Sequence, residues 1–334
     1  MSGISSILAV LTPFERDNFL PGALLESVKA LSPAFQLIDP TDTTPEDFAQ
    51  ELQRINPEVL LACWQTQPLP AELPSNLRYM CYLTGSVQRL VTRKQLEDGF
   101  IVTNWGPAIS RTVAECALFH TLACLRHATK WTFEIHHEQG WRDDWEQIRS
   151  LFGRRVGIHG YGSVAREFLK LIQPFGCAVS VLAPDFDETA SKETGATPAK
   201  SLESLFADND IIVELAPLNP VTTGSVTEPL LRLIRPGGAF VNVARARITD
   251  EAALLRIAQE GNIQIGLDVF VQEPLPVDSP WRGLRNVSLT PHIAGPTLDR
   301  YPDGGDYALK NLQAYANGQP LSAIITPEVY DRST

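Results

Sequence analysis

At 334 residues, with 44% hydrophobic and 20% charged side chains, the chain is long enough for two ordinary globular cores. A formal charge of −11 argues against nucleic acid as a partner, because phosphate recognition needs a basic patch. No stretch approaches the roughly 18 uninterrupted apolar residues of a membrane span, so no membrane partner is expected.

Residues 4–11 form an apolar run with no preceding Lys or Arg, which reads as a first strand rather than a signal peptide. The five cysteines (Cys63, Cys81, Cys116, Cys124 and Cys177) are odd in number and mostly lie in apolar surroundings. They read as reduced core residues, which fits a cytoplasmic protein without a metal centre.

Along the chain, short apolar runs at 7–11, 35–38, 59–62, 79–83 and 101–103 predict strands. Stretches 24–30, 45–55 and 91–98 predict helices, with Thr44 a cap ahead of Pro45. Together they make one small α/β domain. A long apolar helix follows from Ser110 to about Arg126, then a polar, tryptophan-rich segment (Trp131, Trp141, Trp145) with no assigned role.

Residues 154–165 carry the strongest local pattern, a short buried strand, the turn Gly160-Tyr161-Gly162 and a helix opening at Ser163 and extending to about 170. Gly160 permits the turn, Gly162 lets the backbone approach a pyrophosphate, and Ala165 stands small where a third glycine is usual. The helix N-terminus adds unpaired N–H groups and a positive dipole end. Predicted strands at 178–183, 211–215, 239–243, 263–267 and 287–290 alternate with helices, which implies a parallel sheet covered on both faces. A helix over about 306–316 and an irregular tail close the chain.

NAD-binding folds of this kind read the ribose 2′-hydroxyl with an acid about 20 residues past the glycines. That position falls near Ala183, so the acid is missing, and no Arg stands nearby to welcome a 2′-phosphate. Asp185 and Asp187 follow closely and would repel such a phosphate. The balance favours NAD and leaves NADP open.

Arg245, Glu273 and His292 each fall just past a predicted strand, the edge at which open α/β sheets place ligands. A histidine exchanges protons near neutral pH, a carboxylate orients its ring, and a guanidinium grips a substrate carboxylate in two places. Singly each residue is unremarkable surface or turn chemistry; following a dinucleotide loop, the three suit hydride transfer to a carbonyl.

Taken with Val113-Ala114-Glu115, Pro217-Leu218, the run from Asn242 to Arg245, residues 250–254, Asp268-Val269-Phe270, Glu273-Pro274 and Thr290-Pro291-His292-Ile293, these features resemble the D-isomer-specific 2-hydroxyacid dehydrogenase family over nearly the whole chain. The resemblance implies two Rossmann-like domains with a cleft between them. A flavodoxin-like substrate domain would span 1–103 and 296–334, and an NAD(P)-binding Rossmann domain 104–295. It implies Arg245 as the substrate arginine, His292 as the acid/base, Glu273 as its partner and Asp268 beside the nicotinamide carboxamide. Further cofactor contacts are implied at Gly160, Tyr161, Gly162, Ser163, Val164, Pro184, Asp185, Ala216, Pro217, Thr222, Val243, Ala244, His292 and Gly295. A homodimer is implied too.

Two departures narrow the substrate. Formate dehydrogenases of this fold carry Gln where this chain has Glu273, and no serine-controlled regulatory domain is expected after residue 334. In the first domain the family's glycine-rich turn usually precedes an Asp, which is absent from Leu83-Thr84-Gly85-Ser86-Val87-Gln88. The backbone N–H groups around Gly85 to Val87 can still form a nest for a carboxylate, with Thr84, Gly85 and Ser86 as expected substrate contacts. The loop Trp64-Gln65-Thr66 is the other rim, where Trp64 either binds or simply packs. No cluster of Arg or Lys is evident to hold a phosphate. A small 2-keto acid such as glyoxylate, hydroxypyruvate or pyruvate is expected as substrate, with phosphoglycerate dehydrogenase and an NADH-sensing corepressor-like binding protein as the alternatives.

Overall fold

A computed structural model describes residues 3–141 and 148–332; Trp145 of the tryptophan-rich segment lies outside them. The chain separates into two compact units, residues 1–109 with 296–334, and residues 110–295.

The first unit is built on a parallel sheet of β1 (Ile7–Val10), β2 (Phe35–Ile38), β3 (Val59–Ala62), β4 (Tyr79–Tyr82) and β5 (Ile101–Thr103), in the order β2-β1-β3-β4-β5. This is the flavodoxin-like order. β1, β3 and β4 are buried along their whole length, as strands covered on both faces must be, whereas the edge strand β2 is not. The helix Pro45–Ile55 opens under Thr44, whose hydroxyl accepts from Asp47 N–H. A helix absent from the sequence reading, Pro13–Phe19, is closed by a reciprocal cap between Thr12 and Glu15.

The last long helix is Tyr301–Ala316, five residues longer at its start than expected. Gly304 and Gly305 are poor helix formers. In the fold they serve close packing: a Cβ on Gly305 would stand 1.8 Å from the Phe19 carbonyl oxygen. The tail, expected to be irregular, forms the helix Pro327–Arg332.

The second unit holds β6 (Arg155–His159), β7 (Ala178–Leu182), β8 (Thr197–Pro198), β9 (Ile211–Glu214), β10 (Ala239–Asn242), β11 (Gln264–Leu267) and β12 (Val287–Leu289). All pair in parallel, in the order β12-β11-β10-β9-β6-β7-β8. Strand order therefore reverses between β6 and β9, and a ligand crevice belongs at their carboxyl ends. One face packs on the helices Ser110–Leu125 and Ser163–Ile172. The other packs on Leu202–Asp208, Glu228–Leu231 and Glu251–Glu260. The polar stretch around Trp131 is in fact the helix Ala128–His137, none of whose residues is fully buried.

Candidate active site

The glycine turn has the shape a dinucleotide needs. Gly160 has φ +94°, and a Cβ there would lie 2.6 Å from Ala216 Cα, so only glycine fits. Gly162 ends the turn as the residue before the helix Ser163–Ile172, and nothing lies within 4 Å of where its Cβ would be. That open space lets a phosphate approach the helix N-terminus. Ala165 is buried against the sheet, as its small size requires. Tyr161 is also buried, packed edge-on against Phe186 and under Arg166, so it has backbone rather than side chain to offer a ligand. Ser163 and Val164 open the helix, with Ser163 hydrogen-bonded to Ser110 at 2.7 Å.

Two further loops leave the same sheet edge. After β7, Pro184 and Asp185 are exposed, but Asp187 is committed to structure, its carboxylate accepting from Ala190 N–H as the cap of Glu188–Thr194. After β9, Ala216 is buried and Pro217 exposed, and Thr222 folds the loop back by donating to the Pro217 carbonyl at 2.5 Å.

After β10, Asn242 builds the arginine loop: its side-chain oxygen accepts from Ala244 N–H and its amide donates to the Arg245 carbonyl. Val243 is buried beneath, and the Arg245 guanidinium donates to Ala244 O at 2.7 Å. Burial pulls the Arg245 pKa down while the charge of Glu273 pushes it back up, so the two side chains lie within electrostatic reach.

His292 and Glu273 are brought together directly. His292 Nδ1 lies 2.7 Å from Glu273 Oε2, and Glu273 Oε1 accepts from Phe270 N–H at 2.8 Å. A carboxylate only accepts, so Nδ1 carries the proton and the half-exposed ring turns Nε2 to other partners.

His292 sits in left-handed backbone, φ +54°, which costs a non-glycine residue about 1–2 kcal/mol. The turn is held by Asp268, which is fully buried beneath it and accepts from Ile293 N–H at 2.9 Å and Ala294 N–H at 2.8 Å. Gly295 follows. Behind Asp268 stands a chain that the sequence reading missed. Thr290 Oγ1 donates to Asp268 at 2.5 Å, His120 Nε2 donates to Thr290 at 2.8 Å, and Ser288 donates to His120 Nδ1 at 3.0 Å. Thr290 has given its proton to Asp268, so His120 must be the Nε2–H tautomer. Gly266 makes room for it, since a Cβ there would lie 2.7 Å from His120 Cβ. Cys116, His120 and Asp268 bring ligand atoms within 4.8 Å of one another, but hydrogen bonds already occupy both His120 nitrogens and both Asp268 oxygens.

Burial lowers the His120 pKa to about 4, the Asp268 charge opposing only in part. Well above pH 6.5 the ring is neutral in folded and unfolded chain alike and contributes no pH dependence. As pH falls from 6.5 towards 4 the unfolded chain takes up the proton first, so stability is lost across that window, by about 3 kcal/mol in all. Urea unfolding at several pH values is expected to show this loss in the wild type and a shallower slope in His120→Gln. Equal slopes would show that His120 is not held neutral.

In the first unit, Thr84 is buried, Gly85 lies against Trp105 with its carbonyl accepting from Asn104, and Ser86 is exposed. Trp64 packs edge-on against Phe19 and Tyr301 and also lines a cavity of about 720 Å³ with Thr12, Phe14, Glu15 and Gln65. Two residues that sequence reasoning passed over organise these loops. Glu15 is buried and accepts from the backbone N–H of Thr12 and Gln65, while Arg89 reaches the carbonyls of Trp64 and Thr66.

A Rossmann sheet with a glycine cradle and a carboxylate-oriented histidine defines a dinucleotide-dependent oxidoreductase. Residues 118–294 match the family model of the D-isomer specific 2-hydroxyacid dehydrogenase NAD-binding domain. The chain is 30% identical over 260 residues to a glyoxylate/hydroxypyruvate reductase of Arabidopsis thaliana, covering 77% of this chain and 78% of that one. It is 30% identical over 234 residues to the hydroxyphenylpyruvate reductase of Plectranthus scutellarioides, covering 70% and 72%. A glyoxylate reductase from Paecilomyes thermophila shares the fold, with a TM-score of 0.82 at 21% identity over 97% of this chain and 99% of that one. The chain belongs to the D-isomer specific 2-hydroxyacid dehydrogenase family, and is an oxidoreductase that uses NAD(P).

Proposed function

We propose that the protein reduces small, unphosphorylated 2-keto acids to D-2-hydroxy acids, with glyoxylate, hydroxypyruvate and pyruvate as the substrate class. The observation that carries this reading is the His292–Glu273 pair, 2.7 Å apart, within electrostatic reach of the half-buried Arg245. The reductase names of the similar proteins from Arabidopsis and Plectranthus support it.

The bound nicotinamide dinucleotide supplies hydride chemistry. Residues 110–295 act as the coenzyme domain, with the glycine turn and the loops after β7, β9 and β10 as its contacts. Residues 1–109 with 296–334 act as the substrate domain, where the backbone of Thr84, Gly85 and Ser86 receives the acid's carboxylate and Trp64 its side chain. Arg245 grips a substrate carboxylate in two places and steadies charge on the carbonyl oxygen. His292, protonated on both nitrogens, gives its Nε2 proton to that oxygen, and the Glu273 carboxylate keeps the ring oriented throughout. Asp268 and the Thr290–His120 chain hold the turn on which His292 stands. No helix among the described residues is long and apolar enough to cross a membrane. A homodimer in the cytoplasm, with no nucleic-acid partner, completes the proposal.

NADH consumption followed with a panel of 2-keto acids tests the reading. Glyoxylate, hydroxypyruvate or pyruvate should be turned over, and 3-phosphohydroxypyruvate should be a poor substrate. Preference for the phosphorylated acid, or no turnover at all, would count against it. Asp185 and Asp187 are both exposed carboxylates of this loop, and although Asp187 also caps a helix, either can repel a 2′-phosphate. Through solvent that is worth only about 1 kcal/mol at ~4 Å. NADH should therefore be favoured over NADPH by less than about tenfold in kcat/KM.

A further inference from the structure

Beneath the glycine turn lies a buried ionisable pair that the proposed chemistry does not use. His159 ends β6 and Glu214 ends β9, and the two are register partners where strand order reverses. His159 Nδ1 is 2.7 Å from Glu214 Oε2, and Oε1 of the same carboxylate accepts from Ala216 N–H at 2.9 Å. Glu214 is 0% exposed and His159 8%. Two apolar side chains would fill this position without the desolvation cost of an ion pair, so packing alone does not explain it. Burial pushes the His159 pKa down, but the charge and hydrogen bond of Glu214 push it further up, so the ring holds its proton more tightly than an ordinary histidine. With Nδ1 committed to Glu214, Nε2 is left without a partner among the described residues.

The strand geometry says where that nitrogen works. Val156 and Ile158 face the core under the helix Ser163–Ile172, whereas Gly157 faces Leu205 and Ile212. By alternation His159 lies on the Gly157 face, between the loops that follow β7 and β9. It is also the register partner of Leu182, the last residue of β7, at the strand end where Rossmann folds read the adenosine ribose. Ala183 packs into the opposite core and has no hydrogen-bonding side chain, and one carboxylate oxygen of Asp187 is taken up capping a helix.

We infer that His159 contacts the cofactor, its Nε2–H donating to the oxygen on C2′ of the adenosine ribose, which is a hydroxyl in NADH and a phosphate oxygen in NADPH. Glu214 holds the ring in place and favours its charged form. The inference rests on reading residues 157–165 as a dinucleotide loop. A hydrogen bond between two charged groups is about twice as strong as a neutral one. His159 therefore offsets the repulsion from Asp185 and keeps NADPH within reach of the site.

Calorimetric titration of NADH and NADPH, with no keto acid present, tests this in the wild type, His159→Phe, His159→Gln and Glu214→Gln, each checked for folding by thermal melting. His159→Phe should weaken NADPH roughly tenfold or more and NADH only about threefold, moving the preference towards NADH. His159→Gln, a neutral donor, should recover NADH binding but not NADPH. Glu214→Gln should shift the ratio in the same direction as His159→Phe. Unchanged affinities, or an equal loss for both cofactors in a folded His159→Phe protein, would overturn the contact, because mere loosening of the turn does not discriminate at C2′. Wild-type protein that bound neither cofactor would overturn the dinucleotide reading, and the contact with it.

Discussion

Replacing His292 is expected to lower kcat by roughly 100- to 10,000-fold while NADH still binds, the range that acid–base catalysis contributes. The choice of replacement matters because His292 occupies left-handed backbone. Ala there would add backbone strain to the loss of the ring. Asn tolerates that conformation better and cannot exchange protons near neutral pH, so His292→Asn is the cleaner variant. In it the turn should persist, since its hydrogen bonds run from Ile293 and Ala294 N–H to Asp268 and not through the imidazole. Single-turnover and steady-state kinetics, with NADH affinity measured separately, decide the matter. A folded His292→Asn protein keeping more than a tenth of wild-type turnover would remove His292 from the mechanism.

Arg245→Lys is expected to raise KM and lower kcat together, with kcat/KM falling roughly 100-fold or more. Two charge-assisted hydrogen bonds to one carboxylate are reduced to a single point contact. The surroundings of Arg245 make the substitution worse than it looks. Burial already pulls the guanidinium pKa down, with the charge of Glu273 opposing it, yet Arg starts high enough to stay charged. A lysine begins about two units lower, so the same burial brings it closer to losing its charge. Arg245→Lys kinetics indistinguishable from wild type would refute the two-point grip. A rise in KM with kcat untouched would show that the arginine binds substrate and transition state equally.

Much of the fold is legible because its signals are local. The buried strands of the first unit announce themselves as apolar runs of four, and Thr44-Pro45 marks a helix start through the backbone's own capping chemistry. The glycine turn is equally plain, because no other residue adopts φ +94° with Ala216 so close. The elements missed have weak or misleading local signals. The helix Ala128–His137 fully buries none of its residues, and the paired glycines near the start of Tyr301–Ala316 are poor helix formers whose place is set by packing against Phe19.

The site divides along the same line. Arg245, Glu273 and His292 could be chosen from the sequence because each follows a strand, and parallel sheets gather their strand ends at one edge. Which groups support them could not be chosen. Asp268 holds the His292 turn through contacts 25 and 26 residues away, and His120 reaches Ser288 and Thr290 across 168 and 170 residues. His159 and Glu214 meet only because β6 and β9 become neighbours at the reversal of strand order, 55 residues apart in the chain. By itself the sequence determined strands, turns and the residue types that chemistry requires, because these follow from steric limits and periodicity within a few residues. Only the tertiary structure decided which buried polar groups satisfy one another, because that pairing is set by strand order and register and leaves no local mark.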